Sequence, residues 1–254
     1  SLTLVAPMAR PVGPYLQVYA PVMNENIYTN EWQGPFDGYR DVISTFEMTE
    51  HPRRLKPINI YYHFYSGTKA AALNALEDVY AWSTAQDIYP IHLRDYSDKV
   101  ADFRKAGVAR YLDGYWKLSR LGDIRSMRLL EDRYWPELQY SKGIAGASQL
   151  HDGLYLHTDG RDTVMFRTTR QSPQTPFLVS SNGRVSQWDK TARGLVFRVQ
   201  SEAPAVVEIG GIAAGVCRVI TAAGSVYGTV TKTGTLSFRF TEKDTGHASL
   251  YCQA

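Results

Sequence analysis

Cysteine is scarce. The 254 residues contain two, Cys217 and Cys252. They form no Cys-x-x-Cys pair, which removes thiolate zinc sites and dithiol redox motifs from consideration. Both fall in the C-terminal half, where a bridge between strands and a pair of buried thiols are equally open readings. No apolar run reaches the length of a membrane-spanning helix. Charge of one sign is lacking as well: 28 Lys and Arg face 25 Asp and Glu, for a formal net charge of +3. Positives alternate with negatives, so a nucleic-acid partner is not expected. The basic clusters Arg53-Arg54-Leu55-Lys56 and Arg120, Arg125, Arg128 and Arg133 read as solvated surface. The phosphate-binding Walker loop, the dinucleotide glycine fingerprint and the Gly-x-Ser-x-Gly elbow are all missing. The first residues, Ser1-Leu2-Thr3-Leu4-Val5-Ala6-Pro7, lack the charged n-region and long apolar core of a signal peptide. That pattern fits a cytoplasmic protein, a mature form or an internal fragment.

What is present divides into two halves of different periodicity. Composition is that of a globular chain, 44% hydrophobic and 21% charged. Tyr15-Leu16-Gln17-Val18-Tyr19-Ala20 reads as a strand leading into the polar loop Asn24-Glu25-Asn26. Phe36, Tyr39, Ile43 and Phe46 recur at helical spacing and predict a helix from about Pro35 to Glu50, ended by Pro52. Ile58 to Tyr65 is rich in β-branched and aromatic residues and predicts a second strand. Ser66-Gly67-Thr68 offers capping hydroxyls to a helix in which Leu73, Leu76, Val79 and Tyr80 share a face. Ile88 to Leu93 predicts a short third strand. A last helix from about Ser97 buries Val100 and Phe103 and stops at Gly107. Strands alternating with helices imply βαβ units on a parallel sheet. Three strands are too few to close a barrel, so the expected fold is the incomplete end of a (β/α) barrel whose sheet begins before residue 1.

Beyond residue 107 the helical period gives way to short alternating runs between turns, the pattern of an antiparallel sandwich. Leu154-Tyr155-Leu156-His157 and Thr163-Val164-Met165-Phe166 flank Asp159-Gly160 and predict a hairpin. Leu195, Phe197 and Val199, then Leu236, Phe238 and Phe240, alternate with polar neighbours. The expected organisation is α/β in residues 1–106 and an all-β, jelly-roll-like sandwich in 107–254.

Six histidines and the carboxylates are left to carry chemistry. His63 sits where a parallel strand would end, the edge at which barrels and doubly wound sheets place catalytic groups. Alternation puts it on a face with Tyr61 and Tyr65, opposite Ile60, Tyr62 and Phe64. A hydrogen-bonded structural histidine is the competing reading. Asn24, Glu25, Asn26 and Trp32 follow the first strand at the same predicted edge, where they line a sugar site or merely cap a loop. His151 and His157, with Asp152 and Asp159, are a weak metal candidate that reads better as turn and hairpin residues. His92 reads as structural, and His51 and His247 as exposed turn residues. Tyr111, Tyr115, Trp116, Trp135 and Trp188 offer stacking faces for sugar rings if they are not core.

The segment Ile58-Asn59-Ile60-Tyr61-Tyr62-His63, a helix, and then Ile88-Tyr89-Pro90-Ile91-His92-Leu93 resembles the closing units of NodB-like polysaccharide deacetylases. The run Tyr61-Tyr62-His63-Phe64-Tyr65-Ser66-Gly67 is most similar to deacetylases of Pel exopolysaccharide systems, in which a β-sandwich follows the barrel. The resemblance implies that His63 is the general acid protonating the leaving amine. It also implies a divalent, zinc-like metal that polarises the amide carbonyl. The metal's ligands and the aspartate base belong to a Thr-Phe-Asp-Asp-Gly-like and a His-x-x-x-His-like motif, expected upstream and absent here. By itself the chain is therefore expected to hold no metal and to deacetylate nothing. The same resemblance implies a periplasmic or secreted location, an acetylated amino-sugar polymer of a biofilm matrix as substrate, and an export-machinery scaffold protein as partner. The alternative function class is a non-catalytic sandwich that binds glycan or docks on a partner.

Overall fold

The computed structural model describes residues 8–19, 31–33, 40–50, 57–130, 133–192, 194–213, 215–241 and 244–253. The chain is β-rich, with antiparallel sheets and three α-helices among the described residues. It divides into two compact units, 1–88 and 89–254.

In the first unit, β1 (Met8–Val12) and β2 (Tyr15–Tyr19) form an antiparallel hairpin in which Val12 pairs with Tyr15. Gly13, at φ +57°, takes the left-handed conformation that so short a turn requires. The first predicted strand is thus present, but its pairing is antiparallel. Helix α1 (Asp41–Met48) falls inside the predicted 35–50 span. It packs Val42 and Phe46 against α2 (Ala70–Thr84).

Ala71, Ala72, Ala75, Leu76 and Val79 form the buried face of α2, while Leu73 and Tyr80 are 37% and 41% exposed. The small alanines let the chain approach the helix closely; of the four residues expected to mark its face, Leu76 and Val79 are buried and Leu73 and Tyr80 stand at its margin. Residues 57–63 carry no ladder pairing among the described residues, and 64–68 form a 3₁₀ turn. The predicted strand 58–65 is therefore extended only as far as His63 (φ −102°, ψ 153°). Without a neighbour to accept its backbone hydrogen bonds, an extended segment is not a strand. Residues 88–92 likewise pair with nothing described, and α3 (Leu93–Lys105) begins where the third strand was expected. The parallel sheet expected of residues 15–93 is not formed among the described residues.

Helix α3 belongs with the β-rich unit, whereas the sequence boundary at 106/107 grouped it with the preceding segments. Its attachment is electrostatic as well as apolar. Lys99 Nζ reaches Asp123 Oδ2 at 2.7 Å, and the Asp123 N–H donates to Asp102 Oδ2 at 2.9 Å. Tyr96 and Val100 are buried, whereas Phe103 is 47% exposed.

After α3, β3 (Gly107–Arg110), β4 (Trp116–Ser119) and β9 (Val164–Phe166) form a small antiparallel sheet, and β6 (Trp135–Pro136) pairs with β10 (Thr168–Thr169). A six-stranded sheet takes β17 (Leu236–Phe240), β14 (Ala205–Gly210), β11 (Phe177–Ser181), β7 (Ile144–Leu150), β8 (Gly153–Thr158) and β5 (Ser126–Leu129) in that order. Its one parallel contact, Leu178 with Gly146, brings two backbones together where an added Cβ would lie 2.1 Å from the Leu178 carbonyl oxygen. A five-stranded sheet orders β12 (Arg184–Thr191), β13 (Gly194–Gln200), β18 (Gly246–Gln253), β15 (Val216–Thr221) and β16 (Gly224–Thr229). The inner faces of these two larger sheets share one core, with Phe197, Val199, Cys217 and Leu250 on one side and Val207, Ile209, Phe238 and Phe240 on the other. Each such side chain removed from water contributes about 1.5–3 kcal/mol. The alternation expected at Leu195–Val199 and Leu236–Phe240 is present. The hairpin expected around Asp159-Gly160 is not: β8 pairs with β5 and β7, whereas β9 pairs with β4, so the turn carries the chain between sheets.

Cys217 and Cys252 are register partners on β15 and β18 and form a disulfide. Replacing both with alanine is expected to destabilise the 89–254 unit by about 3–4 kcal/mol in the chain-entropy model, measurable by denaturant melts with and without reductant. An unchanged midpoint would show the bridge to be energetically idle. Asp123 offers a second test. Burial raises its carboxyl, but the hydrogen bond from Lys99 and the charges of Lys99, Arg125 and Arg184 outweigh this and hold it below its ordinary 3.8. A lowered folded-state value contributes stability above the ordinary value that disappears as pH falls through the lowered one. Asp123→Asn is therefore expected to cost about 2 kcal/mol at neutral pH, with mutant and native stabilities converging below pH 3.8. A pH-independent difference would contradict the charge assignment.

Candidate functional site

The site forms because one short segment has two unlike faces. Ile58, Ile60 and Tyr62 pack against the buried core of α1 and α2. Tyr62 also meets the Tyr80 ring edge-on at 6.3 Å. Burial first, and then the hydrogen bond with Tyr62, push the Tyr80 phenol above its ordinary value. With the even positions anchored, the extended chain must turn Tyr61 and His63 the other way. The 3₁₀ turn that follows, closed by Ser66 N–H donating to the His63 carbonyl at 3.0 Å, returns Tyr65 to the same side.

Three side chains converge there. Tyr61 Oη lies 3.0 Å from His63 Nε2, and Tyr65 Oη lies 3.1 Å from His63 Nδ1. The Tyr65 ring stacks on the imidazole, with centroids 4.9 Å apart and planes within 8°, while Tyr61 meets it edge-on at 5.1 Å. In the neutral imidazole one nitrogen donates and the other accepts, so one phenol gives its proton and its counterpart receives one. In the imidazolium both nitrogens donate. The phenols thus satisfy the ring in both protonation states, which is what a proton-transfer residue needs. The cluster is exposed, with Tyr61 and Tyr65 each at 48%.

Tyr61, His63 and Tyr65 are the predicted site residues that the structure brings together. Phe64, expected on the buried face, is 93% exposed because the 3₁₀ turn breaks the alternation after His63. Trp32 is 43% exposed, in the short described stretch 31–33. Asn24, Glu25 and Asn26 lie outside the described residues, as does His51.

The remaining histidines have other settings. His157 is buried on β8, where Nε2 donates to the Val179 carbonyl at 2.8 Å and Nδ1 accepts from Ser126 Oγ at 3.1 Å. His151 is exposed in the β7–β8 turn. Asp152 accepts from the Tyr155 hydroxyl, and Asp159 pairs with Arg161. His92 is exposed at the start of α3, not in a strand, and His247 is exposed within β18, not in a turn. Among the described residues no group of three or more His, Cys, Asp or Glu side chains is arranged to hold a metal ion. The described residues do not assemble a zinc-like centre.

A second surface, unanticipated as a unit, lies on the β-rich half. The Arg167 guanidinium sits 4.0 Å from the Tyr140 ring centroid and 5.8 Å from that of Tyr115. Its Nε donates to Glu137 Oε2 at 2.5 Å, which holds the Glu137 carboxyl below its ordinary value. Arg110 lies over Trp116 at 5.2 Å. Of the aromatics named for stacking, Trp188 is buried, Tyr115, Trp116 and Trp135 are half-buried, and Tyr111 is exposed. Comparison with protein-family models, with curated proteins and with solved structures finds no match to this chain.

Proposed function

We propose that this chain is the C-terminal region of a metal-dependent exopolysaccharide N-deacetylase of the PelA type, with His63 as general acid. The observation that carries the reading is the Tyr61–His63–Tyr65 cluster. An imidazole held at both nitrogens stands on the open face of an extended segment whose other face is anchored to two helices. In this reading residues 57–63 are a barrel strand whose ladder partners lie upstream, and the β-rich unit is the jelly-roll-like domain that follows. His63 donates its proton to the amine leaving the cleaved acetamide, and Tyr61 and Tyr65 orient the ring and contact the sugar. A divalent metal, whose ligands the resemblance places outside this chain, would supply carbonyl polarisation and water activation. The substrate is an acetylated amino-sugar polymer of a biofilm matrix, and the setting is periplasmic or secreted. The Cys217–Cys252 bridge supports an oxidising compartment. A scaffold protein of the export machinery is the proposed partner.

The Arg167, Tyr140 and Tyr115 arrangement favours a second reading, in which the β-rich unit binds glycan without catalysis. The exposed Tyr140 ring and the half-buried Tyr115 ring beside a fixed guanidinium offer a stacking face next to donors for hydroxyl or acetyl oxygens.

In the protein extended upstream through the barrel, His63→Ala is expected to lower kcat by about 10²–10⁴-fold with the thermal melt unchanged. Tyr65→Phe, which removes one of the ring's two hydrogen bonds, is expected to lower kcat by about tenfold with little change in KM. Full activity of His63→Ala would sink the assignment. Titrating the chain with acetylated oligosaccharide tests the second reading. Shifts confined to Tyr115, Tyr140 and Arg167 resonances support it, and unchanged spectra reject it.

A further inference from the structure

A polar cleft of about 390 Å³ opens within the 89–254 unit, away from the His63 segment in the chain. Its floor follows from strand alternation. Val185, Phe197 and Val199 point into the sandwich core. The intervening residues of β12 and β13 must therefore face outward, and register pairs Arg184 with Gln200 and Ser186 with Arg198. These four residues line the cleft.

One wall is the turn carrying Asp159 and Arg161. It is locked to β12 at a bulge between Ser186 and Asp189, where Gln187 adopts φ +53° and donates its N–H to the Asp159 carbonyl at 3.0 Å. A non-glycine residue held left-handed inside a bulge is the kind of local cost that recurs beside binding sites. Arg125, from the loop after β4, forms the other wall.

The charges do not balance. Asp123 serves Lys99, Arg125 and Arg184 together. Asp159 and Asp189 are both met by Arg161, at 3.3 and 3.7 Å. Arg198 stands exposed on the floor and forms no ion pair among the described residues. Four arginines, Arg125, Arg161, Arg184 and Arg198, thus line the cleft with two carboxylates, Asp159 and Asp189, and Asp123 pairs with Arg125 and Arg184. Arg125 Nε is buried without a hydrogen-bond partner. Burial pushes that guanidinium below its ordinary value and neighbouring Arg184 adds to the effect, while Asp123 opposes it. An anion in the cleft would offset the excess positive charge of the lining arginines. No aromatic ring is among the lining residues, so the stacking platform of a neutral sugar site is missing.

We propose that this cleft binds an oxyanion, a carboxylate or phosphate carried by a small ligand, through the guanidiniums of Arg125, Arg184 and Arg198. Planar guanidinium donors suit either group by paired hydrogen bonds. The proposal is independent of the deacetylase reading.

The test is calorimetric titration of the chain at low ionic strength with inorganic phosphate, with glucuronate and with glucose as the neutral control. Saturable binding of phosphate or glucuronate, weakened by added salt, is expected, and glucose is expected not to bind. Tighter binding of phosphate assigns a phosphorylated ligand, and tighter binding of glucuronate a carboxylated one. Arg198→Gln, on an exposed position that leaves the Asp123 and Asp159 ion pairs in place, is expected to weaken binding about tenfold with an unchanged melt. The proposal is overturned if neither anion binds by about 10 mM, if glucose binds as well as the anions, or if Arg198→Gln binds like the native chain.

Discussion

An extended backbone sends successive side chains to opposite sides, and burying one side dictates what the other presents. That constraint governs both halves of the molecule. In the first, Ile58, Ile60 and Tyr62 are taken up by helices, which leaves Tyr61 and His63 outward. In the second, Val185, Phe197 and Val199 enter the sandwich core, and Arg184, Ser186, Arg198 and Gln200 become an outer floor. Neither site has to be held in place by its own interactions alone. The apolar face supplies the anchoring free energy, and the polar face inherits the geometry.

Much of this was legible from residue spacing. The alternation at Leu195–Val199 and Leu236–Phe240 marks core strands because no helical period accommodates it. The Tyr61, His63, Tyr65 grouping follows from the same rule up to His63. It survives to Tyr65 through a 3₁₀ turn that the sequence does not announce, and Phe64 is exposed for the same reason. Other features were hidden because they depend on partners. Apolar content alone does not say whether an extended stretch finds a neighbour, so 58–63 and 88–92 look like strands without being paired among the described residues. Likewise Asp159-Gly160 has the chemistry of a hairpin turn, but β9 finds better pairing on β4. The buried face of α2 combines Leu76 and Val79, found by their spacing, with Ala71, Ala72 and Ala75, which a search for large apolar residues passes over.

Charge patterning misled in a different way. Arg125 belongs to a loosely spaced basic series that reads as solvated surface, yet its guanidinium is half-buried between Asp123 and Arg184. Asp123 is two residues from Arg125, but Arg184, which shares that carboxylate, lies 61 residues from Asp123, so no local window contains the group. Asp123 gathers these cations and also fastens α3 to the β-rich unit, which makes one carboxylate both a structural tie and part of the electrostatics of the cleft.

The order of the five-stranded sheet bears on how this unit is made. Its middle strand, β18, comes from residues 246–253, while its flanking partners β13 and β15 come from far earlier. During synthesis β13 and β15 leave the ribosome with facing edges that nothing yet fills. The nascent chain must keep those edges apart until the missing strand arrives, several seconds later at ordinary elongation rates. The sulfur of Cys217 meets its mate only at that point. Assembly of this sheet therefore waits for residues 246–253, and the interval before they arrive is when a chaperone would have most to protect.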